Sequence, residues 1–355
     1  MSKSIDKEFW KGKRVFLTGH TGFKGSWLSL WLQLLGAEVS GLSLNPPTSP
    51  SLFKEASIDI GMNSVIGDIR NYPTVLATMS ESRPEIIIHM AAQPLVRYSY
   101  QAPVDTYLTN VIGTLHILEA ARYVGTVRAI INVTSDKCYE NSGKVQRFHE
   151  NDPMGGFDPY SSSKGCSELI TTAYRRSFFE NSRVSLASAR AGNVIGGGDW
   201  AADRLIPDIF RALEQNLPVL IRNPNSVRPW QHVLEPLSGY IKLAESLYKE
   251  GAYFAEGWNF GPQDSDAKPV KWIVENLVRI WGQGASWELD NRDHFHEAHY
   301  LNLDISKAKV KLGWSPRWSL ENSLEYIVEW HNAWLSGSNM RNKCIDQILF
   351  YQNSS

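Results

Sequence analysis

Three cysteines are few for 355 residues, and Cys138, Cys166 and Cys344 lie far apart with no CxxC pair. This spacing excludes a disulfide framework and a zinc knuckle, and it fits a reducing cytoplasm. An excess of either charge is also missing. The 36 basic and 37 acidic residues are interspersed, and the net charge of −1 leaves no electrostatic footprint for nucleic acid or anionic lipid. No apolar run approaches the roughly 18 residues of a membrane span, and MSKSIDKEFWKGK lacks the apolar stretch of a secretory signal. Internal repeats and biased tracts are absent. These gaps leave an ordinary globular composition, long enough for one large domain with a lobe or for two unequal domains. The partners to expect are small molecules or further copies of the chain.

Short apolar runs alternate with longer helical patterns through the first half, as in βα units on a parallel sheet. The strands read are Arg14–Thr18, Glu38–Leu44, Asn63–Ile66, Glu85–Met90, Ala129–Thr134 and Val184–Ala191, and the helices Ser26–Leu35, Tyr72–Ser82, Val104–Tyr123 and Tyr160–Phe179. Near-continuous Ile and Val in EIIIHM and AIINV predict strands covered on both faces, hence a doubly wound α/β fold. After about Gly192 the rhythm turns to Gly, Pro, Trp and charged residues, which reads as a second, smaller lobe. Ligands of open α/β sheets sit outside the carboxyl ends of the strands, so chemistry is sought just after each run.

The first such end is LTGHTGFKGSW, with Gly19, Gly22 and Gly25 between a strand and an amphipathic helix. Glycines there let the backbone approach a pyrophosphate, while the helix N-terminus offers unpaired N–H groups. The acid that NAD sites usually place on the adenosine ribose, about 20 residues on, is missing from SGLSLNPP. Ser43 and Asn45 stand there instead, with no Arg to favour a 2′-phosphate, so NAD is the expected cofactor. Asp68, after the third strand, is placed either to meet the adenine or to cap the following helix.

Tyr160 and Lys164 in PYSSSKG lie four apart and share a helix face. That spacing alone arises about once by chance in such a chain; Ser135, a hydroxyl at the end of the preceding strand, adds weight to it. A phenol near ~10 acts as a base at neutral pH only where cations stabilise the phenolate, which Lys164 and an oxidised nicotinamide would do. Beside Ser135 stand an acid and a base, Asp136 and Lys137.

These motifs resemble the extended short-chain dehydrogenase/reductase family: TGHTGFKG, AAQ at Ala91–Gln93, TNVIGT at Thr109–Thr114, YSSSK and, toward the end, LDISKAKVKLGWSP. The resemblance covers nearly the whole chain. It implies a Rossmann domain over residues 1–190 and a nucleotide-sugar lobe over 191–355, with a segment around 229–262 returning to the Rossmann domain. Cofactor contacts are implied for the glycine stretch (Gly19, Thr21, Gly22, Phe23, Lys24, Gly25), for Asp68 and Ile69, for Ala91, Ala92, Gln93 and Asn110, and for Tyr160 and Lys164. In the sugar-nucleotide branch, epimerases need only the Ser/Thr, Tyr and Lys, whereas 4,6-dehydratases also eliminate water and need an acid and a base. The resemblance makes Ser135, Asp136, Lys137, Tyr160 and Lys164 the catalytic set, with Asp136 the acid and Lys137 either the C5 base, if it loses its proton, or a charge that steadies the enolate. Most 4,6-dehydratases carry Asp-Glu at this place. Asp-Lys, with GNVIGGGDWAADRLIPD and RPWQHVLEPLSGY, resembles the CDP-glucose group.

Substrate contacts are implied for Asn193, Arg204, Ile206, Pro207, Arg228, His296 and Tyr300. Arg forks suit diphosphate oxygens. DHFHEAHY holds His294, His296 and His299, but no metal is expected because the chemistry needs none. Trp200 reads as a core residue before a base-stacking one. The family further implies a cytoplasmic homo-oligomer, a dimer or tetramer, packed through helices beside the sheet.

Overall fold

The computed structural model describes residues 5–282, 284–290 and 300–354. Strands Arg14–Thr18 (β1), Glu38–Ser43 (β2), Asn63–Ile66 (β3), Ile86–His89 (β4), Ala129–Val133 (β5), Ser185–Arg190 (β6) and Gly257–Asn259 (β7) form one sheet. Their order is β7-β6-β5-β4-β1-β2-β3 and every neighbouring pair is parallel. This is a doubly wound Rossmann-type α/β sheet, with its switch point between β1 and β4.

The apolar strand runs are explained by the side-chain period of two. Val15 and Leu17, Ile86 and Ile88, and Ala129, Ile131 and Val133 enter one core, whereas Phe16, Ile87 and Ile130 enter the core on the opposite face. Helices Phe23–Leu34 (α1), Tyr72–Ser82 (α2), Gly113–Tyr123 (α3) and Pro159–Tyr174 (α4) follow the early strands. α1 begins three residues before the expected Ser26, because Gly22 in extended backbone serves as its N-cap.

Beyond the sixth strand come Leu205–Glu214 (α5), Leu234–Glu250 (α6), Val270–Trp281 (α7), Leu320–Leu335 (α8) and Met340–Asn353 (α9). α6 packs on β5 and β6, and β7 extends the sheet beside β6. A third core gathers Ile206, Ile209 and Phe210 of α5 with Ile273 and Leu277 of α7 and Leu324 and Ile327 of α8. This lobe stands over the carboxyl end of the sheet. Trp200 packs edge-on against Trp330 and Trp334 at 5.7 and 5.1 Å. No helix among the described residues is long and apolar enough to cross a membrane.

Candidate active site

A cavity of about 1060 Å³ lies between the strand ends and the third core. The glycine loop forms one part of its wall. Gly19 holds φ at +79°, and a Cβ on Gly25 would stand 2.0 Å from the Gly19 carbonyl oxygen, so the turn admits no side chain. With Gly22 as N-cap and no side chain capping it, the first N–H groups of α1 are left for a ligand. The loop therefore fits the pyrophosphate of a dinucleotide. Thr21, Phe23, Lys24, Ser43, Asn45, Asp68, Ile69, Ala91 and Ala92 line the same cavity. Thr21 bonds Ser43 (2.7 Å) and donates to the Leu44 carbonyl (2.8 Å), which joins the loop to the end of β2. Asp68 is not the cap of α2, since Asn71 takes that place. It accepts from the Arg70 Nε at 2.8 Å, a bond that holds its carboxyl below the ordinary range.

Gln93 and Asn110 stand behind the wall. The Gln93 N–H donates to Asn110 Oδ1 (2.8 Å), and Asn110 Nδ2 donates to the Gln93 carbonyl (3.0 Å) and to Ser163 Oγ (2.9 Å). The strand end after β4 is thereby tied to α4.

At the end of β5 the chain enters a short 3-10 turn, Asp136–Cys138, capped by Ser135, whose Oγ accepts from the Lys137 N–H at 3.2 Å. Ser135 also donates to Asp136 Oδ1 at 3.0 Å. Asp136 is 1% exposed, its Oδ2 has no hydrogen-bond partner among the described residues, and burial raises its carboxyl above the ordinary range, against the lowering effect of Lys137, Ser135 and Arg228. Room for this carboxyl comes from Gly192, just past β6, where a Cβ would stand 1.6 Å from Asp136 Oδ2.

Helix α4 starts at an Asp158 cap that accepts from the Ser161 N–H at 2.9 Å, and Pro159 occupies its first turn. This places Tyr160 in the cavity wall. Burial pushes its phenol up to about 12; Ser135 and Arg204 act in the lowering direction and Asp136 in the raising one. Lys164 is buried behind it, its Nζ 3.5 Å from the Val133 carbonyl, and desolvation brings its ammonium down to about 8. Glu168, one turn further, accepts from Arg190 Nε (2.9 Å) and Nη2 (2.7 Å), Ser188 (2.7 Å) and Thr134 (2.5 Å). This buried network fixes α4 against the ends of β5 and β6, and with them the distances between Tyr160, Ser135 and Asp136.

Lys137 lines the cavity, half-buried. Lys24 lines it too, with its ammonium brought down to about 7 by desolvation and by the charges of Lys164 and Arg204. The motif gave Lys24 only as part of the loop. Gly192 was missed because no local pattern ties it to a carboxyl from another strand end.

On the lobe side, Asn193 (φ +46°), Arg204, Ile206, Pro207 and Arg228 line the cavity. Arg204 pairs with Asp199 at 2.9 Å, and Arg228 is buried within reach of the Asp136 charge. Tyr300 makes a strand-like bridge with Val227, and its neighbour Leu301, not Tyr300, is part of the lining. His296, with His294 and His299, lies outside the described residues.

A glycine loop at the first strand end of a parallel sheet, with a hydroxyl after β5 and a tyrosine and a lysine one turn apart on the helix that follows, defines the extended short-chain dehydrogenase/reductase class. Within it, the chain belongs to the GDP-mannose 4,6 dehydratase family, whose model matches residues 16–327. It is 60% identical over 341 residues to a CDP-glucose 4,6-dehydratase of Salmonella typhimurium, which covers 95% of each chain. Its fold is similar to a UDP-glucose 4-epimerase of Thermotoga maritima solved with UDP-glucose (TM-score 0.79, 23% identity, 90% of this chain and 99% of that one). A dTDP-glucose 4,6-dehydratase of Streptomyces venezuelae, solved with NAD and TYD bound, is also similar (TM-score 0.76, 23% identity, 92% and 98%).

Proposed function

We propose that this protein is a hydro-lyase that converts CDP-D-glucose to CDP-4-keto-6-deoxy-D-glucose with tightly held NAD. One juxtaposition carries the reading. A buried, partnerless carboxyl oxygen on Asp136 and the amine of Lys137 share a turn with Ser135, on a cavity that Tyr160 and the glycine loop also line. The nucleotide comes from the relative at 60% identity.

NAD held by the glycine loop, with Thr21, Lys24 and Asp68 beside it, would supply the hydride chemistry, acceptance from C4 and return to C6. Tyr160 takes the C4 hydroxyl proton, Ser135 holds that oxygen, and Lys164 stabilises the phenolate. With a phenol at about 12, Tyr160 serves as a base only while cations surround it; Arg204 and Lys164 are the cations this chain provides. The C4 ketone acidifies the C5 hydrogen, which Lys137 removes. Asp136, whose carboxyl burial raises, gives a proton to the C6 oxygen as that C–O bond breaks and water departs. Asn193, Arg204, Ile206, Pro207 and Arg228, which line the cavity, together with His296, are the proposed nucleotide-sugar contacts. Residues 1–190 form the cofactor domain, and 191–355 form the substrate lobe apart from the segment around 229–262. The setting is a cytoplasmic homo-oligomer whose product feeds dideoxysugar synthesis for lipopolysaccharide O-antigen.

Incubation with CDP-glucose and catalytic NAD, followed by mass spectrometry, tests the reading. Loss of one water is expected. An unchanged mass with an inverted stereocentre would assign an epimerase instead.

A further inference from the structure

Beyond the catalytic turn the cavity lining includes two apolar residues, Pro207 of α5 and Leu220 of the strand Val219–Ile221. Leu220 is a 53% exposed apolar side chain facing this space. Apolar side chains on a cavity wall suit the face of a nucleobase, and a nucleobase is told apart by the polar groups at its edge. Three charged groups line the cavity here: Asp208 one turn into α5, Arg222 just beyond the strand, and Asp203, whose Oδ1 stands 3.9 Å from Arg222 Nη1. Arg211 bonds Asp208 Oδ1, and the second oxygen, Oδ2, stands 4.0 Å from Arg222 Nη2. That separation is longer than a hydrogen bond. The Asp208 side chain is 37% exposed and lines the cavity.

We propose that Asp208 is the residue that selects cytosine, accepting a hydrogen bond from its 4-amino group while Arg222 donates to the neighbouring ring nitrogen or 2-oxygen. This inference rests on the functional reading above, which it deepens from a nucleotide-glucose to a base read by a named side chain. The chemistry discriminates in one direction. Cytosine presents an amino donor at position 4, and a carboxylate is its natural acceptor. Uracil and thymine present a carbonyl oxygen there, which would face the carboxylate lone pair to lone pair without a proton between them. A buried polar edge left unmatched costs far more than a lost apolar contact.

The test compares CDP-glucose with UDP-glucose on the wild type and on Asp208→Asn, whose amide keeps the size and still accepts from Arg211. In the wild type, kcat/KM favours CDP-glucose. In the variant that preference falls roughly ten- to a hundred-fold, through a higher KM for CDP-glucose, with kcat and the melting temperature unchanged. Asp208→Ser is expected to lose the same preference, which guards against a fault peculiar to one replacement. A CDP-to-UDP ratio unmoved in both variants, or equal losses on both substrates, would overturn the assignment. If the wild type left CDP-glucose unconverted, the functional reading would fail by itself. Calorimetric binding of CDP against UDP to the same proteins would then still decide the role of Asp208, by whether the substitution removes a preference for CDP.

Discussion

Asp136 shows how little of a catalytic carboxyl is set by its own neighbours in sequence. Its position after a buried strand was legible, as was the Tyr160–Lys164 spacing on one helix face. The space it occupies was not, because that space is made by a missing side chain at Gly192 on a different strand end. A Cβ there overlaps Oδ2 and forces the carboxyl out of the site. Gly192→Ala is therefore expected to behave like Asp136→Asn: C4 oxidation survives, elimination falls by about a hundred-fold or more, and reduced cofactor accumulates, visible as absorbance of NADH in single-turnover mixing. A variant with normal turnover would show that the carboxyl does not act from this position.

At the scale of elements, strands with continuous Ile and Val and helices with sharp caps read well. Tyr72–Ser82 is found as expected, bounded by the Asn71 cap and left-handed Arg83. β7 escaped, since three residues, Gly-Trp-Asn, carry no period and gain their place only by pairing with Ser188–Arg190. α6 also depends on distant partners. Its buried Glu235 accepts from the backbone N–H groups of Arg317 (3.0 Å) and Trp318 (2.7 Å) and from the Tyr351 hydroxyl (2.6 Å), so one carboxyl joins α6 to the start of α8 and to α9. Burial raises this carboxyl from 4.5 to about 7. The folded protein thus holds a proton that the unfolded chain has released, and the Glu235 contribution is full below about 4.5 and lost as pH rises to about 7. The loss is on the order of 3 kcal/mol. In Glu235→Gln this dependence disappears, so the melting temperature of the variant relative to wild type should climb between about pH 5 and pH 7.5. A difference that stays constant with pH would contradict a raised carboxyl.

Taken whole, the molecule places two cores on the faces of the sheet and a third over its carboxyl end, and the cavity is the gap between them. The alternation of strands and helices foretold the sheet. The shape of the lobe was not legible, because its short strands and loops are ordered by contacts across the fold and not by local period. Among the described residues, Val104 (70% exposed) and Leu108 on the segment leading into α3, and Leu169 (61%) on the neighbouring α4, are exposed apolar side chains that offer one apolar face. If this face joins two copies, Leu169→Glu should halve the mass measured by light scattering; an unchanged oligomer would place the interface elsewhere. The central claim, that one site oxidises C4, expels water across C5 and C6 and reduces C6, is tested most directly with CDP-glucose carrying deuterium at C4. The account predicts a product lighter by one water that retains the deuterium, now on C6. A product of unchanged mass, or a dehydrated product whose deuterium has gone to solvent, would contradict it.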